Sequence, residues 1–146
     1  MDPARARGDA RRTRLDELTL VCPCSGVPTG TDFDDCCRPA LDGEVWPPTA
    51  EALMRSRYTA FARKHADHLF RTWHPRTRPT DLGVDELVTW TGLEILDTTA
   101  GSAADDTGTV HFRAHYRDDL GDHVLEENSA FARRAGRWLY LAPTED

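Results

Sequence analysis

The sequence predicts an α+β fold in which helices pack on one face of an antiparallel sheet, with a small cysteine-rich segment in front. After residue 49, apolar residues recur at three- and four-residue spacing, the period of an amphipathic helix. After residue 92, apolar and polar residues alternate, as they do in half-buried strands. Helices followed by an antiparallel meander are typical of α+β domains. We therefore expect a disordered tail (1–19), a cysteine knuckle (20–48) and an α+β domain (49–146).

Composition and charge exclude several classes of function. The 146 residues fit one globular domain with a small appendage. The net charge of −7, from 25 acidic and 18 basic residues, argues against nucleic-acid binding, which needs a concentrated positive surface. No apolar run approaches the about 18 residues that span a bilayer, and no apolar signal segment begins the chain. We expect a cytoplasmic protein, a monomer or homodimer, without membrane insertion.

Three helices are predicted at the start of the α+β domain. Thr49 is a good N-cap and opens a helix that extends to Ala62. The apolar stripe of this helix also contains the charged Arg57. A second helix is predicted from Ala66 to Trp73, before Pro75, and a short third one from 82 to 88. The stripe of the first helix consists of Leu53, Met54, Tyr58 and Phe61.

Four strands are predicted in the rest of the chain. Their alternating segments are 93–96, 110–116, 124–133 and 137–142, and glycine- and aspartate-rich turns separate them. His111 and His115 alternate with Val110 and Phe112, so we expect the two histidines on the outer surface of the sheet.

The four cysteines of the chain lie within sixteen consecutive positions, as the close pairs Cys22/Cys24 and Cys36/Cys37. Structural Zn²⁺ is held by four thiolates in tetrahedral geometry, and Gly26 permits the turn that brings the pairs together. Arg38 and backbone N–H groups near Ser25 and Gly26 could offset the negative charge. Free or disulfide-paired cysteines and an iron–sulfur cluster are the alternatives. A catalytic zinc fits less well, because four thiolates leave no position for water.

Two sets of motifs resemble known families. The cysteine segment resembles the SEC-C zinc motif in the runs Cys22-Pro23-Cys24-Ser25-Gly26 and Phe33-Asp34-Asp35-Cys36-Cys37. Downstream, the chain is similar to the YchJ family in the runs 48–58, 72–75, 90–95 and 136–138. Together the two resemblances cover nearly all of residues 21–142.

The resemblance implies a nuclear-transport-factor-2-like cone, with helices cupped in a curved sheet, behind a knuckle that holds Zn²⁺. The family usually has Gly-Ser-Gly after the second cysteine and a shorter loop between the ligand pairs, whereas this chain has only Ser25-Gly26. We therefore expect an altered turn with all four ligands retained. The SEC-C motif at the end of the SecA motor attaches a partner, but the family implies no reaction.

Several polar residues fall on faces that should point into the cone. Glu127 and Ser129 share their strand parity with Phe131, and Arg57 lies on the inward stripe of the first helix. A buried guanidinium needs a partner, so we expect an Arg57–Glu127 pair. The candidate pocket residues are Arg57, Tyr58, Trp73, His74, Glu127 and Ser129.

These residues have two interpretations. They form either a structural hydrogen-bond network or a small-molecule pocket in which His74 or Glu127 acts as acid or base and Arg57 binds an anion.

The sequence leaves three functions open. The favoured one is a binding or adaptor module that contacts a protein through its zinc knuckle. The second is an enzyme of the isomerase or dehydratase type, with its active site in the cone; this rests on fold analogy alone. In the third, zinc only fastens the proline-rich segment to the domain.

Overall fold

The computed structural model describes residues 21–82, 84–85 and 87–144, so the predicted disordered tail (1–19) lies outside the described residues. The cysteine segment contains a short 3-10 helix and one α-helix, and two further helices precede four strands. The elements are the 3-10 helix Phe33–Asp35, α1 (Arg38–Leu41), α2 (Ala50–Ala62), α3 (Ala66–Arg71), β1 (Thr89–Ala100), β2 (Thr107–Asp118), β3 (Gly121–Arg134) and β4 (Arg137–Pro143).

Helix α2 begins and ends with recognisable caps. The side chain of Thr49 accepts a hydrogen bond from the backbone N–H of Ala52 at 3.0 Å, as an N-cap does. At the other end, Lys64 adopts a left-handed conformation with φ +60°, and the N–H of His65 donates to the carbonyl of Ala60 at 2.8 Å. This is the Schellman ending, with lysine in the place that glycine usually takes. The predicted helix is confirmed.

The segment after α3 differs from its prediction. Helix α3 ends at Arg71, two residues before the predicted end at Trp73. No described residue between 82 and 88 is helical, so the predicted third helix is wrong. The carboxylate of Asp85 accepts from the N–H of Leu87, a local bond that competes with helix formation. Lys64 Nζ also donates to the carbonyls of Asp85 and Val88, which holds the segment against the end of α2.

The sheet is antiparallel, with the four strands in the order β1-β2-β3-β4. Register shifts in the β1–β2 and β3–β4 pairings mark bulges, which bend a sheet. On β2, Val110, Phe112 and Ala114 are buried, whereas His111 and His115 lie on the other face and contact Glu126 and Glu94. Both the α+β class and the outward placement of the two histidines are confirmed.

The start of α2 is fixed against the β1–β2 turn and against β4. The carbonyl of Gly101 accepts from the N–H of Ala50 at 2.9 Å, and a Cβ on Gly101 would lie only 2.8 Å from the Cβ of Ala50. The indole of Trp138, 1% exposed, donates to the carbonyl of Pro48, and Trp46 donates to the carbonyl of Trp138. These contacts hold the cysteine segment and the helix on the sheet.

The sequence predicts that no segment inserts in a membrane, which bears on the length and hydropathy of the helices. Within residues 21–82, 84–85 and 87–144, no helix is long and apolar enough to cross a bilayer.

Candidate functional site

The four cysteine sulfurs converge on one point. All four Sγ atoms lie within 4.8 Å of one another, and three separations are 3.6 Å (Cys24–Cys36), 3.8 Å (Cys24–Cys37) and 4.0 Å (Cys36–Cys37). Four sulfurs at 2.3 Å from a tetrahedral zinc would be about 3.8 Å apart. These distances are far too long for disulfide bonds, and the cysteines are free. The cluster therefore has the donors and dimensions of a metal site.

A tight turn brings the first cysteine pair to the second. Cys22 donates its N–H to the carbonyl of Thr31 at 2.9 Å, which closes the loop between the pairs. Gly26 has φ +87°, and a Cβ there would lie 2.4 Å from the backbone nitrogen of Thr31, so only glycine fits. Ser25 also has a left-handed backbone, with φ +83°. A serine thus occupies a conformation that favours glycine, directly after the second ligand.

Helix α2 supplies the contacts that hold the cluster. Thr59 Oγ1 donates to Cys37 Sγ at 3.2 Å and lies 3.6 Å from Cys22 Sγ. Arg55 Nη1 donates to the carbonyl of Cys24 at 2.8 Å, and its Nε pairs with Glu51 at 2.9 Å. Arg55 and Thr59 are one helical turn apart, so one face of α2 binds the knuckle.

Arg38 does not have its predicted role beside the sulfurs. Its guanidinium forms ion pairs with Asp34 at 3.4 Å and with Asp42 and Glu44 at 3.0 Å each. Carboxylates four and six residues away along the chain compete successfully for this exposed side chain. Arg55 instead brings a positive charge to the cluster, where its guanidinium donates to the carbonyl of Cys24 and pairs with Glu51.

The electrostatics of the cluster favour a bound cation. Hydrogen bonds with Cys24 and Cys37 lower the pKa of Cys22 to about 2. Burial and the charges of Cys24 and Cys22 raise the pKa of Cys36 to about 12. One thiolate is therefore stabilised by its neighbours, whereas further thiolates at this separation repel one another. A divalent metal would remove that repulsion, and with four sulfur ligands it would have no open position for substrate.

A second candidate site lies between α2 and the sheet. It is a cavity of about 290 Å³. Five of the six predicted pocket residues line it, and His74 does not. The lining residues are Met54, Arg57, Tyr58, Phe61, Trp73, Trp90, Phe112, Ala114, Leu125, Glu127, Ser129 and Tyr140.

The predicted Arg57–Glu127 ion pair is wrong, because Tyr140 lies between the two residues. The guanidinium carbon of Arg57 is 4.8 Å from the ring centroid of Trp73 and 4.6 Å from that of Tyr140. Its Nη1 donates to Thr72 at 2.8 Å and to the carbonyl of Leu69 at 3.1 Å. Burial lowers the pKa of Arg57 to about 9; the two aromatic rings and the carbonyl contact its guanidinium directly, and the charge of Glu127 acts on it only from a distance.

Glu127 forms its own hydrogen-bond group in the cavity. Its Oε2 accepts from the hydroxyl of Tyr140 at 3.0 Å and from the hydroxyl of Ser129. Burial and the charge of Glu127 raise the pKa of Tyr140 above its usual range, so the phenol remains a donor.

His74 lies outside this group. Its ring Nδ1 accepts from the backbone N–H of Arg76 at 3.1 Å, and the backbone N–H of His74 donates to the carbonyl of Tyr140. The backbone of His74 therefore borders β4, while its ring is engaged in a local turn.

Sequence reasoning missed several residues of both sites. Tyr140 is one of them, although its place two residues after the buried Trp138 puts it on the same strand face. Ala114 could have been found in the same way from its parity with Phe112. Thr59 carried no signal in the sequence, because only the folded position of α2 brings it to the sulfurs.

Comparisons with known proteins agree with this fold and cysteine cluster. The family model described as YchJ, middle NTF2-like domain, matches residues 49–143. A UPF0225 protein of Streptomyces coelicolor is 51% identical over 122 residues, which cover 84% of this chain and 93% of that protein. A UPF0225 protein of Deinococcus radiodurans is 42% identical over 125 residues, with 85% and 88% covered.

Two solved structures have the same fold. A solution structure of a SEC-C motif containing protein from Rhodopseudomonas palustris gives a TM-score of 0.72 at 30% identity, covering 84% of this chain and 96% of that one. A crystal structure of a SEC-C motif containing protein from Psychrobacter arcticus gives 0.72 at 28% identity, with 89% and 84% covered. The chain belongs to the YchJ family of UPF0225 proteins, with an NTF2-like domain behind a four-cysteine cluster.

Proposed function

We propose that this protein is a zinc-stabilised binding module that works in the cytoplasm and contacts another protein beside its knuckle. The observation that carries the proposal is the sulfur geometry: four Sγ atoms within 4.8 Å, at the spacing of a tetrahedral Zn²⁺ site. Reduced thiols of this kind persist in the cytoplasm, where zinc can occupy them. The SEC-C motif in both solved neighbours supports a metal at this position.

The zinc fastens the knuckle to the domain and does not itself meet the partner. Cys22, Cys24 and Cys37 are at most 4% exposed, and Cys36 is only half-buried. The metal would therefore lie under the surface, against Thr59 of α2. Its role is to fix the shape of the surface that surrounds it.

That surface contains an apolar groove with an acidic rim. Val27 and Val45 are 54% and 55% exposed and line a groove of about 440 Å³ between the knuckle and the start of α2. Asp35 and Glu51 lie along the same groove; Arg55 also lines it and pairs with Glu51, so Asp35 and the thiolate sulfurs supply the negative charge left unpaired among the described residues. Three prolines complete its apolar wall: Pro39, Pro47 and Pro48. Apolar contacts beside negative charge favour an extended peptide segment with apolar residues flanked by Lys or Arg.

The test measures peptide binding by fluorescence anisotropy on zinc-loaded protein. Two labelled peptides with the same leucine pattern are compared, one with lysines and the other with glutamates between the leucines. We expect the lysine peptide to bind more tightly, and its affinity to fall as salt rises. The double variant Val27→Ser and Val45→Ser should weaken binding by about tenfold.

The control is Leu120→Ser, which removes a still more exposed apolar side chain (84%) in the β2–β3 turn, away from the groove. This variant should bind as the wild type does. Equal binding of both peptides, or equal loss in the control, would remove the support for the groove as the contact surface.

A further inference from the structure

The cavity under α2 has a closed end and an open end along β3. Leu125, Glu127 and Ser129 alternate on the face of β3 that lines the cavity. Leu125 is 42% exposed, Glu127 is half-buried and Ser129 is 0% exposed. The cavity is therefore entered beside Leu125 and ends at Ser129, with the carboxylate of Glu127 half-way down.

The walls of the cavity are aromatic. Six of the lining side chains carry rings: Tyr58, Phe61, Trp73, Trp90, Phe112 and Tyr140. Neighbouring rings stand edge-on to one another, with centroids 5.9 Å apart for Tyr58 and Trp90 and 5.1 Å apart for Trp73 and Tyr140. A volume of about 290 Å³ is at the lower end of small-molecule pockets. Such walls suit a flat, apolar molecule of one or two rings.

The polar groups at mid-depth offer an acceptor to that molecule. Both hydroxyls near Glu127, from Ser129 and Tyr140, donate to the same atom, Oε2. Glu127 Oε1 has no hydrogen-bond partner among the residues that the structure describes. Arg57 does not compete for this place, because its guanidinium lies between the rings of Trp73 and Tyr140.

We propose that this cavity binds a small, flat, uncharged ring compound that donates an O–H or N–H hydrogen bond to Oε1 of Glu127. A ligand seated between the aromatic walls would displace water from the half-buried carboxylate, so a ligand without a donor would leave the acceptor unpaired. A ligand that carries a carboxylate or phosphate would meet the negative charge of Glu127 at the same depth. This site is separate from the cysteine cluster and does not depend on the proposed protein contact.

The test uses three matched probes in isothermal titration calorimetry on the full-length, zinc-loaded protein: 2-naphthol, 2-methoxynaphthalene and 2-naphthoate. They share one ring system and differ in offering a donor, no donor or a negative charge. We expect 2-naphthol to bind about tenfold or more tightly than either of the others, the range of a hydrogen bond to a charged acceptor. In Glu127→Gln the preference for 2-naphthol over the other two probes should shrink to about threefold or less. The side-chain amide has an N–H donor in place of one of the two carboxylate acceptors.

Two variants locate the site. Glu126→Gln makes the same change one residue earlier on β3, where Glu126 contacts His111 and Arg113 on the outer face, and it should keep the wild-type preference. Ala114→Leu adds three carbons to a buried lining residue and should abolish binding of 2-naphthol, with its fold checked by circular dichroism.

Four results would overturn the proposal: no binding of 2-naphthol at millimolar concentration, equal affinity for all three probes, tighter binding of 2-naphthoate, or wild-type binding in Ala114→Leu. The comparison of the three probes on wild-type protein decides the matter even if a variant fails to fold.

Discussion

The hydroxyl of Thr59 donates a hydrogen bond to the sulfur of Cys37 at 3.2 Å, across 22 positions of sequence. Thr59 is 0% exposed and lies in the second half of α2. The same helix carries Arg57 and Tyr58, which line the cavity. One helix therefore positions both candidate sites, with the cysteine cluster and the cavity on different faces.

Thr59→Val should weaken metal binding. Valine keeps the shape of threonine but cannot donate to Cys37, and losing a partner that hydrogen-bonds a metal ligand typically costs about 10–100-fold in affinity. We expect zinc affinity to fall by about tenfold, measured by competition with a chromophoric chelator. Thr109→Val, a half-buried threonine on β2, is the matched control and should bind zinc as the wild type does. Unchanged affinity in Thr59→Val would mean that the hydroxyl does not support the cluster.

Gly26→Ala should disrupt the knuckle. The added Cβ would lie 2.4 Å from the backbone nitrogen of Thr31, at a φ of +87° that alanine rarely adopts. We expect the zinc content to fall well below one per chain and the free energy of unfolding to drop by about 2 kcal/mol or more.

The neighbouring position should respond in the opposite direction. Ser25 has φ +83°, so Ser25→Gly relieves a strain of about 1–2 kcal/mol while it adds about 0.5–1 kcal/mol of unfolded-chain entropy. Urea unfolding should show a gain of about 0.5 kcal/mol with zinc content unchanged. A loss of stability in Ser25→Gly would contradict the described turn.

Arg57→Lys should destabilise the protein although it keeps the charge. Lysine cannot reproduce the planar guanidinium between Trp73 and Tyr140 or its bonds to Thr72 and the carbonyl of Leu69. We expect the free energy of unfolding to fall by about 2 kcal/mol.

The control for this change is Arg63→Lys. Arg63 also stacks on an aromatic ring, Phe33, at 4.0 Å, but its side chain is exposed. It should cost about 0.5 kcal/mol or less. Equal effects of the two substitutions would show that burial of Arg57 contributes nothing.

His68 should make stability depend on pH. Its side chain is 1% exposed, its Nε2 lies 2.9 Å from Ser56 Oγ, and its buried Nδ1 has no partner among the described residues. Ser56 donates its own proton to the carbonyl of Leu53, so His68 must donate from Nε2 and leave Nδ1 bare. Burial lowers the pKa of His68 from 6.5 to about 3.

Below pH 6.5 the unfolded chain therefore binds a proton at His68 that the folded chain does not, and stability falls as pH falls. Between pH 7 and 5.5 this loss should be about 1 kcal/mol. Urea unfolding of wild type and His68→Gln at both pH values isolates the contribution of His68. Any pH dependence from the cysteine ligands is common to both proteins and cancels in the comparison. The same pH dependence in His68→Gln would contradict the assignment.

Local signals were sufficient for much of the fold. The N-cap at Thr49 and the apolar stripe behind it predicted α2 almost to the residue, because both depend on neighbours within one or two turns. Alternation on β2 placed His111 on the outer face, since side-chain parity follows directly from the strand period. The convergence of the cysteine pairs was equally visible in their spacing.

The errors concern contacts between distant segments. The direct Arg57–Glu127 pair was wrong because the β3–β4 register brings Tyr140 between them, and nothing near either residue shows that register. The predicted helix at 82–88 failed in part because Lys64, two elements earlier, binds the carbonyls of that segment. Side-chain partners that depend on how elements pack are set by the whole fold.

The central claim is that four cysteines hold one zinc ion, and metal content by elemental mass spectrometry on untagged protein tests it most directly. Cys36→Ser removes one ligand, and Asp35→Asn, an exposed change one residue earlier, is the matched control. We predict one zinc per chain in the wild type and in Asp35→Asn, and far less in Cys36→Ser. No metal in the wild type, or iron in place of zinc, would contradict it.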